Sequence, residues 1–135
     1  YYYFFNIFWV YVSNTICKIR KCKLPDPKIL GNAGSFFKNP EVTTDEFHTL
    51  KQTFSDLPGY KISENSIKIP AGWLIEKAGF KGKRFGKVGV YDDQALVIVN
   101  YGKAKPIDVL MLKEKIKTEI LMKFNLYLDE EVNII

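Results

Sequence analysis

A long amphipathic helix near the end of the chain constrains the fold more than any other feature of the sequence. Pro106 suits the first turn of a helix, where its missing N–H is not needed, and the pattern predicts one helix from there to Phe124. The helix carries one apolar stripe, with lysines elsewhere, so the stripe must pack against a core. The members of the stripe are Val109, Leu112, Ile116, Ile120 and Phe124.

Two shorter helices are predicted upstream. Thr43 and Glu46 have the spacing of a capping box, in which each side chain accepts a backbone N–H from the other residue. The helix that they open is expected to end before Pro58. The second helix covers residues 71–78 and ends at Gly79, a residue type favoured just past a helix terminus.

Several short strands accompany these helices. Residues 66–69 alternate like a strand, and the β-branched runs 88–91 and 95–100 are joined by two aspartates, as in a hairpin. Residues 127–135 predict a last strand, with Glu131 between two apolar runs. A hairpin and short connections favour the α+β class, as a mixed, mainly antiparallel sheet with helices packed on one face.

Composition and charge fit one globular domain with an anionic partner. The 135 residues are 47% hydrophobic and carry a net charge of +5, which suits an anionic ligand but is equally typical of a solvated lysine-rich surface. Cys17 and Cys22 are too few for a disulfide scaffold, and with His48 as the single histidine no zinc site can be assembled. We expect reduced cysteines, a cytoplasmic protein and a non-catalytic His48.

The first eleven residues, YYYFFNIFWVY, are almost wholly aromatic and apolar. They are far fewer than the roughly 20 residues that a membrane-spanning helix needs, and they lack the basic region and cleavage site of a signal peptide. We interpret residues 1–11 as the atypical start of a fragment whose upstream sequence is missing or altered. Residues 12–23 then predict a short helix, with Ile16 and Ile19 at helical spacing.

Residues 23–40, KLPDPKILGNAGSFFKNP, combine stiff and permissive backbone. Two prolines hold the chain extended, whereas Gly31 and Gly34 permit tight turns and let a ligand approach the main chain. Ser35 comes next, and the two phenylalanines after it can shield its hydroxyl from water. The stretch is typical of a site that presents a proton-donating hydroxyl. The alternative is a plain turn, GNAG, before a strand SFFK.

A second glycine-rich stretch, residues 82–87, superficially suggests a phosphate-binding loop. Three residues separate its glycines where a Walker A motif has four, and Val88 follows the lysine where Ser or Thr is needed. The stretch also precedes a predicted strand, whereas phosphate-binding loops precede helices. We therefore do not expect it to bind phosphate.

Several motifs together resemble one protein family. KLPDPK, GNAGSFFKNP, PAGWLIEKAGFKG, DDQALV and LDEEV are similar to the C-terminal, substrate-binding part of type I UDP-N-acetylenolpyruvoylglucosamine reductases. The similarity extends from about residue 12 to residue 135. It implies a substrate-binding domain over residues 23–135, preceded by a separate N-terminal segment, residues 1–22.

The resemblance implies an oxidoreductase of peptidoglycan synthesis that uses FAD and NADPH. Its substrate is UDP-N-acetylglucosamine enolpyruvate, which receives a hydride from the flavin at the methylene carbon and then a proton at the neighbouring carbon. Ser35 is implied as the proton donor and Glu131 as the carboxyl that assists it. Because a serine hydroxyl is a weak acid, such a role requires a dry pocket and adjacent positive charge.

The resemblance also implies binding residues. Those for the nucleotide-sugar are Lys23, Asn39, Tyr60 and Gln94, and those for the cofactor are Arg20 and Gly34. Asn133 departs from the family, which often has arginine there, so no contact of that arginine is expected. The family's flavin is held largely by an N-terminal region that this sequence does not contain, so we expect that region as a partner and the fragment alone to be inactive.

Glu131 lies in an acidic run with Asp129 and Glu130, and such runs are usually solvated surface. If the run is a strand with Val132 and Ile134 facing the core, Glu131 points to the opposite face, where a ligand would lie. We therefore predict a chemical role for Glu131 and none for its two acidic neighbours.

Two other classes of protein are compatible with the composition. One is a basic α+β nucleic-acid-binding or interaction module, and the other is a peripheral membrane protein that uses the aromatic start of the chain. The lysines are dispersed along the sequence, and it contains no nucleic-acid-binding signature. We therefore predict neither a nucleic-acid partner nor a membrane partner.

Overall fold

The computed structural model describes residues 24–132, and within them the chain has the predicted α+β architecture. The helices are α1 (Thr44–Thr53), α2 (Ala71–Lys77) and α3 (Pro106–Phe124). The strands are β1 (Gly31–Ser35), β2 (Glu41–Thr43), β3 (Tyr60–Ser63), β4 (Ser66–Lys68), β5 (Arg84–Phe85), β6 (Val88–Val90) and β7 (Val97–Asn100). The segment 1–11, the helix predicted at 12–23 and residues 133–135 lie outside the described residues.

The strands divide between two sheets instead of forming the single sheet that we predicted. The larger sheet has the order β1-β7-β6-β5 and the smaller one the order β2-β4-β3. Every pairing between these strands is antiparallel. The predicted hairpin is confirmed as β6 and β7, and the predicted strand at 66–69 is confirmed as β4.

The three helices predicted within the described residues are confirmed, and α1 begins at the predicted capping box. The Thr43 hydroxyl oxygen accepts the Glu46 N–H at 3.3 Å, and a Glu46 carboxylate oxygen accepts the Thr43 N–H at 2.8 Å. α1 buries Phe47 and leaves His48 exposed. None of the helices in the described part of the chain is long and apolar enough to span a membrane.

Helix α3 supplies one side of the core. The inward residues of its predicted stripe from Leu112 to Phe124 are at most 3% exposed, and α3 packs against β6 and α2. Burial of each such aliphatic side chain stabilises the fold by about 1.5–3 kcal/mol. The helix ends at Asn125, which has left-handed backbone geometry, and the Lys123 ammonium donates to the Lys77 carbonyl at 2.7 Å. That bond caps the end of α2 and joins the two helices.

The two faces of the larger sheet differ in what they contact. Val88, Val90 and Ile98 belong to the core cluster that contains the α3 stripe. Val97 and Val99 alternate with Ile98 along β7 and therefore point to the opposite face. This difference determines which side of the sheet each residue of β1 addresses.

Two predicted local structures were wrong. GNAG is not a turn before a strand SFFK, because Gly31–Ser35 is itself strand β1 and the two phenylalanines follow it. Residues 127–132 contain no strand, although they make one isolated antiparallel bridge, Phe37 to Glu130. Strand β5 was also missed, because it lies inside the glycine-rich stretch, where Gly86 with φ 64° turns the chain into β6.

Candidate active site

Ser35 lies at the end of β1, on the face of the larger sheet opposite α3. In antiparallel sheets, residues directly opposite each other point to the same face. Ser35 pairs with Val97 and Asn32 pairs with Val99, and both valines point away from the α3 side. The Ser35 side chain, which is half-buried, is therefore directed away from the helix-side core.

A β-bulge gives Ser35 this orientation. Asn32 and Ser35 are three residues apart, whereas their partners on β7 are two apart, so β1 contains one extra residue. In a regular strand that odd spacing would send the two side chains to opposite faces. Gly34 absorbs the extra residue with φ 77°, a left-handed geometry that glycine adopts at little cost. The bulge thus returns the serine to the face of Asn32.

The Asn32 amide holds the bulge in place. Its oxygen accepts the Gly34 N–H at 3.0 Å, and its nitrogen donates to the Pro25 and Leu30 carbonyls at 3.0 and 2.9 Å. The bond to Pro25 ties the entry segment to β1. That segment is not extended as predicted, because residues 27–29 form a turn in which the Ile29 and Leu30 N–H groups both donate to the Asp26 carbonyl at 2.9 Å. The GNAG motif is therefore explained as a device that orients the residue that follows it.

Phe36 and Phe37 do not enclose the serine hydroxyl as predicted. They are 4% and 1% exposed, belong to the helix-side core, and pack edge to face with their ring centroids 5.1 Å apart. They anchor the chain immediately after Ser35. Among the described residues, the Ser35 hydroxyl makes no hydrogen bond, so it is available to a ligand.

The segment that carries Glu131 runs antiparallel to the residues after Ser35. The Glu131 N–H donates to the Phe36 carbonyl at 2.9 Å, and the Lys38 N–H donates to the Asp129 carbonyl at 2.8 Å. The backbone of Glu131 is thereby bonded to Phe36, the residue that follows Ser35, although Ser35 and Glu131 lie almost a hundred positions apart in the sequence. The Glu131 side chain is exposed.

The predicted alternation around Glu131 is present in the burial of the side chains, even though no strand forms. Tyr127, Asp129 and Glu131 are exposed, whereas Leu128 is 1% exposed and Val132 packs against the core. Glu130 lies between the two inward apolar residues and points toward α3. Its carboxylate oxygen lies 2.9 Å from the Lys117 ammonium and 3.1 Å from that of Lys113.

Glu130 is therefore not the solvated neighbour that we expected from the sequence. Its pKa falls from 4.5 to about 2, mainly because Lys117 donates a hydrogen bond to it, against an opposing effect of desolvation and with a smaller contribution from Lys113. The pKa of Lys113 is raised by hydrogen bonds to Glu114 and to Glu130. The sequence held one signal for this cluster, since lysines four apart share a helix face.

Asn39 and Gln94 converge on the first turn of α2. The Asn39 side-chain oxygen accepts the Ala71 N–H at 2.8 Å and caps the helix, because the residue before it, Pro70, makes no side-chain cap. The Gln94 side-chain oxygen lies 3.5 Å from the point that a Cβ on Gly72 would occupy. Two of the predicted substrate-binding residues are thus brought together. The Asn39 Nδ2 group makes no hydrogen bond within residues 24–132.

The remaining predicted residues lie elsewhere or outside the described residues. Tyr60 lies on β3, an edge strand of the smaller sheet, and is 64% exposed. Apart from Gly34 and its two chain neighbours, no heavy atom of the described residues lies within 4 Å of the point that a Cβ on Gly34 would occupy, so its backbone is open to a ligand. Arg20, Lys23 and Asn133 lie outside residues 24–132.

Comparison with known proteins agrees with the motifs that form this site. The family model described as "UDP-N-acetylenolpyruvoylglucosamine reductase, C-terminal domain" matches residues 26–135. The chain belongs to this family. The matched range includes the bulge, Ser35, the paired segments 36–38 and 129–131, and the cap of α2.

Curated relatives carry the same name. The UDP-N-acetylenolpyruvoylglucosamine reductase of Pseudomonas aeruginosa is 50% identical over 123 residues, which is 91% of this chain and 36% of that protein. Those of Flavobacterium johnsoniae and Porphyromonas gingivalis are each 48% identical over 124 residues, 92% of this chain and 37% of theirs. The chain therefore spans little more than a third of the length of these reductases.

Proposed function

We propose that this chain supplies the substrate-binding and proton-donating part of a reductase that converts UDP-N-acetylglucosamine enolpyruvate to UDP-N-acetylmuramate. The observation that carries the proposal is the bulge at Gly34, which directs the Ser35 hydroxyl away from the core in a chain of the reductase family. A glycine-rich turn without such a register shift would give no reason for the serine to lie on that face.

Ser35 donates the proton that completes the reduction, and Glu131 assists it. The serine is suited to this because its hydroxyl has no bond to a described residue and its backbone is held by the β7 pairing and by the buried phenylalanines. A weakly acidic hydroxyl donates efficiently only where water is excluded and charge is provided nearby. Lys23 and Arg20 supply that charge in this proposal.

The other residues of the site bind the nucleotide-sugar. Asn39 donates through the Nδ2 group that capping leaves free, Gln94 bonds the ligand beside it, and Lys23 and Tyr60 contact the pyrophosphate. The shared position of Asn39 and Gln94 at the first turn of α2 supports a common ligand for both. The positive net charge of the chain favours a pyrophosphate partner.

FAD is the cofactor and NADPH the source of reducing equivalents in this proposal. The residues present fit a flavin at one point, because Gly34 offers an open backbone that a side chain would otherwise cover. When bound, the flavin supplies hydride chemistry. Gly34 and Arg20 contact it, and an N-terminal flavin-binding region acts as the partner of the domain formed by residues 23–135. The reductase acts in the cytoplasm.

The test uses a completed reductase, in which this chain is joined to the N-terminal region of the Flavobacterium johnsoniae relative. Ser35→Ala should leave flavin reduction by NADPH unchanged and slow the reoxidation of reduced flavin by substrate about 10²–10⁴-fold, the usual contribution of general acid catalysis. Ser55→Ala, at an exposed serine, is the matched control. Equal slowing of both half-reactions by Ser35→Ala would reduce Ser35 to a structural residue.

A further inference from the structure

The cluster of Glu130, Lys113 and Lys117 has no role in the chemistry proposed above. Lys113 and Lys117 lie one turn apart on α3 and contact the same carboxylate oxygen, at 3.1 and 2.9 Å. All three side chains are largely withdrawn from water, with exposed fractions of 15%, 27% and 25% for Lys113, Lys117 and Glu130. Such shielded pairs are held more firmly than surface ion pairs, which contribute little.

We propose that Glu130 is a positioning residue, which α3 holds through Lys113 and Lys117 and which fixes the Glu131 carboxyl beside the Ser35 end of β1. This inference rests on the proposed function, because it assigns Glu130 a role in the same site. The comparison with the family assigns no role to Glu130, and the sequence alone does not distinguish it from the acidic residues on either side.

The backbone connects the cluster to the site. On either side of Glu130 the segment is joined to the residues after Ser35, through Glu131 N–H to Phe36 O and Lys38 N–H to Asp129 O. The two bonds form an isolated bridge and not a ladder, so they give little cooperative support of their own. The side-chain contacts of Glu130 with α3, together with the burial of Leu128, therefore hold Glu131 in place.

The two lysines lie on a helix that is packed into the core. Ile116, which directly precedes Lys117 on α3, and Ile120, one turn later, are completely buried. On the segment, Leu128 and Val132 are the inward neighbours of Glu130. Removing the carboxylate leaves Lys117 without its partner and Lys113 with Glu114 alone, which favours an outward shift of the segment. Since a misplacement of about 1 Å can lower a catalytic rate 10²-fold, such a shift is expected to act on turnover.

The first test is native-state hydrogen exchange of the 135-residue chain. In Glu130→Gln, the Lys38 and Glu131 amides should exchange at least about tenfold faster relative to the Val90 and Tyr91 amides, which report the bonds of β6 to its two neighbours through Lys83 O and Val97 O. Asp129→Asn, at the exposed neighbour, is the control and should change neither pair. Equal acceleration of all four amides in Glu130→Gln would show a general loss of stability, and unchanged amides would show that the cluster holds nothing; either result overturns the proposal.

The second test is turnover in the completed reductase. Glu130→Gln should lower the rate of flavin reoxidation by substrate about tenfold or more with KM nearly unchanged, and the Lys113→Met, Lys117→Met double variant should reproduce it. Glu130→Asp, which keeps the charge, should recover part of the rate. Wild-type turnover in Glu130→Gln would contradict positioning.

Glu131→Gln separates this inference from the function on which it rests. If Glu131→Gln reoxidises flavin normally, the proposed role of Glu131 fails, and the exchange experiment still decides whether Glu130 holds the segment. If Glu131→Gln is crippled while Glu130→Gln is normal in both assays, the proposed function stands and the positioning role of Glu130 is wrong.

Discussion

Replacing Glu130 by glutamine should make the chain less stable at neutral pH and leave its stability in acid unchanged. The Glu130 pKa lies at about 2 instead of 4.5. At about 1.4 kcal/mol per pKa unit, this lowering corresponds to at most about 3.5 kcal/mol of native-state stabilisation. Because the side chain is still 25% exposed, solvent screening reduces the expected contribution to about 1–2 kcal/mol.

The direction with pH follows from the lowered pKa. A carboxyl whose pKa is depressed by folding stabilises the native state fully above its unfolded value, here 4.5, and the stabilisation is lost as the pH falls toward 2. Wild type and Glu130→Gln should therefore differ by about 1–2 kcal/mol at pH 7 and converge between pH 4.5 and 2.

Urea unfolding at pH 7, 5.5, 4 and 3, followed by tryptophan fluorescence, measures this difference as a change in midpoint at constant slope. Glu131→Gln removes the same charge from the next residue, which has no ion pair with a described residue, and should unfold like wild type at every pH. A difference for Glu130→Gln that persists unchanged at pH 3 would show that its cause is packing and not the ion pairs. No difference at pH 7 would show that the lysines contribute nothing.

Three further predictions concern other parts of the chain. Gly89→Ala should lower the free energy of unfolding by about 1–3 kcal/mol, because the added Cβ would lie 2.7 Å from the Lys83 carbonyl oxygen. Gly31→Ala, whose added Cβ would have its nearest atom at 3.5 Å, should change it by less than about 0.5 kcal/mol. Thermal unfolding compares the two variants. Asn39→Asp should keep the cap of α2, whereas Asn39→Ala should lose about 1 kcal/mol of stability in urea unfolding. In the completed reductase, a higher KM for the substrate in both variants would identify Nδ2 as the ligand donor. The chain alone should bind FAD weakly in a fluorescence titration, and tight stoichiometric binding would contradict the proposed N-terminal partner.

The helices were predictable because their signals are local. The capping box at Thr43, the proline at position 106 and the apolar stripe of α3 each act within a few residues, and the structure has them as predicted. The hairpin β6–β7 was predictable for the same reason, since β-branched runs meet across a short turn. These elements define the core and the α+β class.

The elements that were missed depend on partners far away in the sequence. β1 is glycine-rich and weakly strand-forming, and it is a strand because β7 pairs with it. Residues 127–132 have the alternation of a strand, but only one bridge, to Phe37, forms. Which of these side chains point inward was therefore predictable, whereas the absence of regular strand pairing was not. The ion pairs of Glu130 could not be predicted either, because they depend on the side of α3 that this segment crosses.

The two proposed catalytic groups obtain their orientation by the same rule of alternation, applied in two ways. In β1 the rule is broken by one residue, and the bulge at Gly34 directs Ser35 away from the helix-side core. In residues 127–132 the alternation is kept: the Glu130 side chain points toward α3, and the Glu131 side chain therefore points outward. Two hydrogen bonds, Glu131 N–H to Phe36 O and Lys38 N–H to Asp129 O, join the two segments. A change that alters either alternation, such as removal of Gly34 or loss of the Glu130 ion pairs, therefore reorients one group relative to the other without touching either side chain.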